Sequence, residues 1–493
     1  MSKVKAFFAK LNNASPMQKA SFWFIISNIA LKGMSFITTP IFTRILDVSD
    51  YGITSVFVTW EGIISVFASL SLAGGVYNVA MTKYEGDIDN YTSSMLGLTA
   101  LFSVATYSIC IGINIIYPEL FQLDNSFLLY MWLQTFTNAV ITFWLMRKRF
   151  LYSYKPVIAY TFLNALLSPA LAIAAVYLFP ENKAYAKVIG AGIAGIVIGI
   201  IMLISYLHRS KQLYNKQYWK YALKFNLPLI PHYLSGAILH SSDKLMINNM
   251  VSHEAAGIYS IAQSITGVIG IVTQAINYSL IPYTLQSIKA KNTKGLSSII
   301  VGCSVLVSSV CIGVMLFAKE GILIFATTDY LDALYFLLPL IFAAQFDFIA
   351  GILGNIIFYY EKTKFITIAT LTCAAINIVA NYFGIKTFGY IAAGYTTLIC
   401  SALKLVLIYI FVYRCDRSIN NIVNKKFLFL VFTLTAGFMI YARIFYDILW
   451  ARLALAVLVI GSIIVFRKKI IGMFRKIREK DDADTETECE QAG

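Results

Sequence analysis

Residues 226–263 read NLPLIPHYLSGAILHSSDKLMINNMVSHEAAGIYSIAQ. Two apolar stretches flank a short polar turn, and each can cross a bilayer as a helix, which takes roughly 20 apolar residues. Pro228 and Pro231 interrupt the first helix near its start. The carbonyls they free are tolerated at membrane depth only where protein or a watery cavity satisfies them again. His232, Gly236, His240 and Asp243 recur at steps of four, four and three, so they share one helical face, and Lys244 follows directly. This face should turn away from lipid.

The same hydropathy runs from end to end. The chain has 493 residues, 58% hydrophobic and only 13% charged, where a soluble chain carries roughly 25% charged residues. Its mean hydropathy is +0.71. Apolar runs fall at about 20–42, 52–76, 94–116, 126–146, 157–178, 186–207, 224–247, 256–280, 297–318, 334–358, 365–385, 389–412, 427–445 and 451–466. The expected fold is all-α: a polytopic membrane protein of about 14 transmembrane helices. The short alternating strands of a membrane barrel are missing.

A net charge of +15 on 40 Lys and Arg would suggest nucleic acid in a soluble chain. Here the basic residues follow membrane topology instead. With the N-terminus inside, thirty of the forty fall in inner segments and eight in outer ones, while Lys32 and Lys404 lie within spans. The excess alternates loop by loop and puts both termini in the cytoplasm. No nucleic-acid partner is expected. The seven cysteines, from Cys110 to Cys489, are scattered and read as free thiols. The first apolar run is too long for the h-region of a cleavable signal peptide.

The organisation follows. Residues 1–19 form a cytoplasmic surface segment, 20–207 an N-lobe of six spans, 208–223 a cytoplasmic inter-lobe linker and 224–412 a C-lobe of six spans. Residues 427–466 add two spans, and 467–493 form a basic then acidic cytoplasmic tail. The lobes repeat one another. Tyr51-Gly52-Ile53-Thr54-Ser55 aligns with Ala256-Gly257-Ile258-Tyr259-Ser260, and the same offset pairs Gly62 with Gly267. Six helices separate the copies, so the repeat is parallel, a design in which transporters place the substrate between halves.

Polar residues inside the spans are the candidate site. Asn28, Lys32, Ser35, Thr39 and Thr43 make a stripe on the first span, with Arg44 at its outer end. A lysine at mid-helix costs roughly 2.5–3.5 kcal/mol on insertion scales, so Lys32 either faces a ligand or pairs with a carboxylate in the bundle. Glu61 and Asp347 are lone carboxylates in apolar sequence. They are candidates, with Asp243, for coupling to a proton or sodium gradient; the alternative is a counter-ion to Lys32 or Lys404. His232 and His240 could titrate near neutral pH or serve as neutral hydrogen-bonding groups. Gln263, Gln274 and Asn277 give the eighth span an amide face suited to sugar hydroxyls or to bonds between helices. There is no P-loop, no zincin motif, no metal-spaced Cys/His cluster and no nucleophile elbow. No catalytic residue, metal or cofactor is expected, and transport must draw on an ion gradient or on the substrate's own.

Pro40-Ile41-Phe42-Thr43-Arg44-Ile45-Leu46 with Asp50-Tyr51-Gly52 resembles the first-helix signature of the polysaccharide biosynthesis exporters. Asn226 to His232, with Ser242-Asp243-Lys244-Leu245-Met246-Ile247 and Gly257-Ile258-Tyr259, resembles their seventh and eighth helices. These are the O-antigen and capsule repeat-unit flippases of the multidrug/oligosaccharidyl-lipid/polysaccharide superfamily. The resemblance implies two six-helix lobes around a central cavity, alternating access, and an undecaprenyl-pyrophosphate-linked oligosaccharide as substrate at the bacterial plasma membrane. It also implies a polysaccharide polymerase and glycosyltransferases as neighbours in the pathway. Lys32, Arg44 and Lys244 would meet the pyrophosphate, and His232, His240, Gln263, Gln274 and Asn277 the glycan. Two other classes remain to be weighed: a cation exporter of the same superfamily, whose cavity should be acidic, and a membrane polymerase or ligase, which needs a large outer loop that is absent.

Overall fold

The computed structural model describes residues 16–290, 293–360, 362, 364–415, 424–444, 448, 450, 452–455, 457 and 461, and these contain no strand. The long helices, in chain order, are α1 (Pro16–Ile45), α2 (Val48–Ser69), the short α3 (Val76–Lys83), α4 (Ile88–Ile116), α5 (Asn125–Phe150), α6 (Tyr154–Leu178) and α7 (Lys183–Arg209). They continue with the connecting helix α8 (Lys216–Asn226), α9 (Ile230–Met250), α10 (His253–Lys289), α11 (Thr293–Leu316) and the short α12 (Ala318–Phe325). Then come α13 (Ala333–Tyr359), α14 (Lys364–Phe388), α15 (Ala392–Cys415) and α16 (Lys425–Ile444). Thirteen of the fourteen expected spans are thus helices. Most of the fourteenth, most of the N-terminal surface segment and the tail from 467 lie outside the described residues.

Among the described residues, ten helices are long and apolar enough to cross a membrane by length and composition, and the chain is a multi-span membrane protein. Two of the long helices outside those ten, α5 and α9, carry the polar residues that the site requires. Gln134 and Asn138 stand on α5, and Asp243 and Lys244 on α9.

The chain divides into two compact units, Met1–Gly257 and Ile258–Gly493. In the first, α6 packs along α7, α7 along α5, and α4 against both α2 and α5. Helices in lipid gain little from hydrophobic burial against one another, so close backbone approach matters more. The seventh span, α9, packs on α2. Next to it the two glycines paired by the sequence repeat meet. A Cβ on Gly52 would lie 1.8 Å from the His253 carbonyl oxygen, and one on Gly257 would lie 2.6 Å from that of Val48.

Helix α2 stops at Ser69, short of the expected end near 76. Leu70 and Ser71 take left-handed backbone angles (φ 49° and 48°) and turn the chain. Asn226, fully buried, holds this turn from the far end of α8. Its Oδ1 accepts from the Val76 N–H at 2.9 Å and its Nδ2 donates to the Leu70 carbonyl at 2.7 Å. Helix α8 starts within the expected linker, capped by Asn215, whose side chain accepts from the Gln217 and Tyr218 amides. A 3-10 turn over Leu227–Leu229, containing Pro228, separates α8 from α9. The Tyr218 hydroxyl donates to Asp87, and that carboxylate pushes the phenol up to about 12. Tyr218 also closes a cluster with Tyr77, Tyr84, Tyr91 and Tyr221, and Lys83 lies 3.9 Å over the Tyr221 ring.

In the second unit α13 is almost wholly buried, packed between α15 on one side and α11 and α16 on the other. Gln345 on α13 donates to Ser308 on α11 at 2.5 Å. Arg452 is buried. Its guanidinium donates to both Glu320 carboxylate oxygens at 2.8 Å and to the Leu316 carbonyl. This ties the start of the last expected span to α11 and α12.

Candidate functional site

Two polar stripes face each other in the first unit. Glu61, Ser65 and Ser69 step by four along α2, and Gln134, Asn138 and Thr142 step by four along α5. Each set therefore lies on one helical face. A cavity of about 340 Å³ opens between them, floored by Gly62 and walled by Val58 and Ala139. Glu61 is held from α5: the Gln134 and Asn138 amides each donate to one of its oxygens at 3.2 Å. The carboxylate thus has neutral partners. Sequence reasoning marked Glu61 but missed the α5 amides, although their spacing of four in an apolar span was the signal.

The other candidates are distributed differently. Lys32 is carried by α1, His232 and His240 by α9, but these three side chains lie outside the described residues. Arg44, at the end of α1, donates to the Pro40 carbonyl at 2.8 Å. Asp243 is buried on α9. Lys244 beside it is half-buried, with no ion-pair partner among the described residues. Lys187 on α7 packs into the unit, donating to Thr54 Oγ1 at 2.9 Å and lying 4.5 Å over the Tyr51 ring and 4.9 Å over Phe42. Two aromatic faces and a hydroxyl thus replace water around its charge.

In the second unit Asp347 on α13 is paired with Lys404 on α15, N to O 2.6 Å. This is the counter-ion arrangement that the sequence left open beside the coupling role. Asn277 on α10 accepts from Asn355 of α13 at 2.9 Å. Gln274 is exposed and Gln263 half-buried on the same helix. Separately, α11 and α16 enclose an apolar groove of about 330 Å³, lined by Ile312, Leu430, Val431, Leu434 and Phe438 among others.

The first unit therefore offers polar space and a carboxylate within spanning helices, with cations on α1 and α9; the second unit has an apolar groove.

Comparison with known proteins adds the following. A family described as "Polysaccharide biosynthesis protein" matches residues 17–288, and the MatE family matches residues 228–383. An uncharacterized membrane protein of Haemophilus influenzae is 22% identical over 377 residues, covering 73% of this chain and 88% of its own. "Lsg locus putative protein 1" of the same organism is 22% identical over 386 residues, 76% and 93% of the two chains. Among solved structures, lipid II flippase MurJ in an inward closed conformation superposes with a TM-score of 0.65 at 15% identity, covering 91% of this chain and 99% of that one. An inward-facing multidrug resistance MATE family transporter of the MOP superfamily gives 0.58 at 13% identity, over 81% and 98%. These likenesses show the fold.

Proposed function

The chain belongs to the polysaccharide biosynthesis protein family, and from this we propose that it moves undecaprenyl-pyrophosphate-linked oligosaccharide repeat units across the bacterial plasma membrane. It does so as a flippase, by alternating access, and supplies cell-surface polysaccharide of the O-antigen, capsule or lipopolysaccharide type. Both termini are cytoplasmic. The observation that carries the reading is the family match across the first eight spans, on a fold shared with a lipid II flippase.

The chemistry of such a substrate asks for three environments. Its pyrophosphate brings negative charge into an apolar barrier, and Lys32, Arg44 and Lys244 are the cations proposed to meet it. Its glycan needs hydrogen-bonding groups, and His232, His240, Gln263, Gln274 and Asn277 are the residues proposed to supply them. Its polyprenyl chain needs an apolar lining, which the groove between α11 and α16 would provide. Glu61, Asp347 and Asp243 are the groups proposed to couple movement to a proton or sodium gradient. Glu61 is the first choice, because its partners are neutral amides, while Asp347 already has Lys404 as counter-charge. Family and structural neighbours are transporters and flippases, and no catalytic role is proposed. The polymerase and glycosyltransferases act before and after this step on the same lipid-linked glycan.

A second reading, export of organic cations, has the MatE match over residues 228–383 in its favour. The two separate in cells lacking the chain. The flippase reading expects lipid-linked oligosaccharide to accumulate and surface polysaccharide to fall, with both restored by the wild-type chain and by Lys32→Arg but not by Lys32→Ala. Normal surface polysaccharide with heightened sensitivity to cationic dyes would overturn it in favour of the second reading.

A further inference from the structure

We infer that the cavity between α2 and α5 is a sugar subsite that takes a single pyranose-sized, hydroxyl-bearing unit. The inference rests on the flippase reading and places one part of its substrate.

The argument is an account of donors and acceptors. Ser65 donates to the Gly62 carbonyl at 2.9 Å, Ser69 to the Ser65 carbonyl at 2.7 Å and Thr142 to the Asn138 carbonyl at 2.7 Å. Each hydroxyl has spent its one proton on its own helix and keeps acceptor lone pairs. The Glu61 carboxylate, when ionised, has acceptor sites only, and two are used by the α5 amides. Against these acceptors stands the second N–H of Asn138, which lines the cavity. A ligand that fits must therefore bring several donors and at least one acceptor.

That description selects among ligands. A bare cation would use the oxygens and leave the Asn138 N–H facing it. A phosphate brings acceptors to a site already rich in them, beside a carboxylate. A sugar ring brings one donor and spare lone pairs at each hydroxyl. Size agrees: about 340 Å³ lies at the lower end of small-molecule sites, about 300–1,000 Å³. Gly62 makes the space, since a Cβ built there meets nothing within 4 Å.

The same observation supplies a blocking variant. Gly62→Leu puts a side chain into the cavity from a position where an added Cβ meets nothing within 4 Å, and Glu61→Gln removes the charge while keeping the shape. The purified full-length chain in lipid nanodiscs would be unfolded thermally with methyl glycosides of the common hexoses and N-acetylhexosamines, with fully O-methylated analogues, and with sodium against potassium chloride. The inference expects at least one free glycoside to raise the melting temperature more than its O-methylated analogue. Both variants should lose that difference while retaining their own transitions. An equal shift in Gly62→Leu, a shift from sodium alone, or no difference between any glycoside and its analogue overturns it. Flipping of a lipid-linked oligosaccharide in vesicles separates this from the wider reading. If the wild type flips and Gly62→Leu flips equally well, the subsite is wrong and the flippase stands. If the wild type does not flip, the flippase reading itself fails.

Discussion

Replacing Gly52 by alanine should destabilise the first unit, whereas the same change at Gly62, ten residues along the same helix, should stabilise it. A Cβ on Gly52 would sit 1.8 Å from the His253 carbonyl oxygen and 2.6 Å from its carbon. An ordinary carbon–oxygen contact is about 3.3–3.6 Å, so α2 and the first turn of α10 must part by roughly 1.5 Å. The obstacle is backbone and cannot rotate away. Overpacking of this kind costs about 1–3 kcal/mol, and a rigid obstacle puts Gly52 near the upper end. Alanine regains about 1 kcal/mol of helix propensity, leaving a net loss of roughly 2 kcal/mol. At Gly62 no atom lies within 4 Å of the added methyl, so only the gain of about 1 kcal/mol remains. Melting temperatures of the purified chain move roughly 2–4 °C per kcal/mol at this size. Gly52→Ala should thus melt roughly 4–8 °C lower and Gly62→Ala roughly 2–4 °C higher. Equal shifts at the two positions would refute the close approach of α2 and α10, and with it the meeting of the repeat-related glycines.

Asn226→Ala should cost roughly 2–4 kcal/mol, because it leaves the Val76 N–H and the Leu70 carbonyl unpaired in a buried turn; thermal unfolding checks this, and a loss below about 0.5 kcal/mol would mean that water replaces the amide. Lys404→Met should lower the amount of folded protein by stranding the Asp347 charge, and adding Asp347→Asn should restore it, with a coupling of about 0.5–3 kcal/mol in the double-mutant cycle; additive effects would mean that the pair contributes nothing. Reporter fusions near residues 183 and 386 should read as external and those near 215 and 420 as internal, as the basic-residue bias requires; reversal at any one breaks the topology.

Much of the fold was legible because the bilayer fixes helix length and composition together. Every described long helix from α1 to α16, apart from the short α3, α8 and α12, falls on an expected span. Ends were less legible. The turn after α2 depends on left-handed angles at Leu70 and Ser71 and on Asn226, some 150 positions away, which no local pattern encodes. The site was half legible. Glu61 stands out as a carboxylate in apolar sequence, but neutral amides such as Gln134 and Asn138 look the same whether they bridge helices or line a cavity. Loop counting assigns a side of the membrane and says nothing of burial, so the packing of Lys187 and Arg452 was not legible. Only tertiary structure supplies the ring faces of Phe42 and Tyr51 and the Glu320 carboxylate that bury them.

The most direct test of the flippase reading is transbilayer movement in vesicles. The purified chain would be reconstituted with an undecaprenyl-pyrophosphate-linked oligosaccharide, and the fraction of glycan exposed to an impermeant lectin followed over time. Exposure beyond the outer-leaflet half, at a rate that rises with protein, is abolished by Lys32→Ala and is retained in part by Lys32→Arg, is the expected result. Exposure fixed at the outer-leaflet half regardless of protein, in vesicles that do extrude a cationic dye, would contradict it.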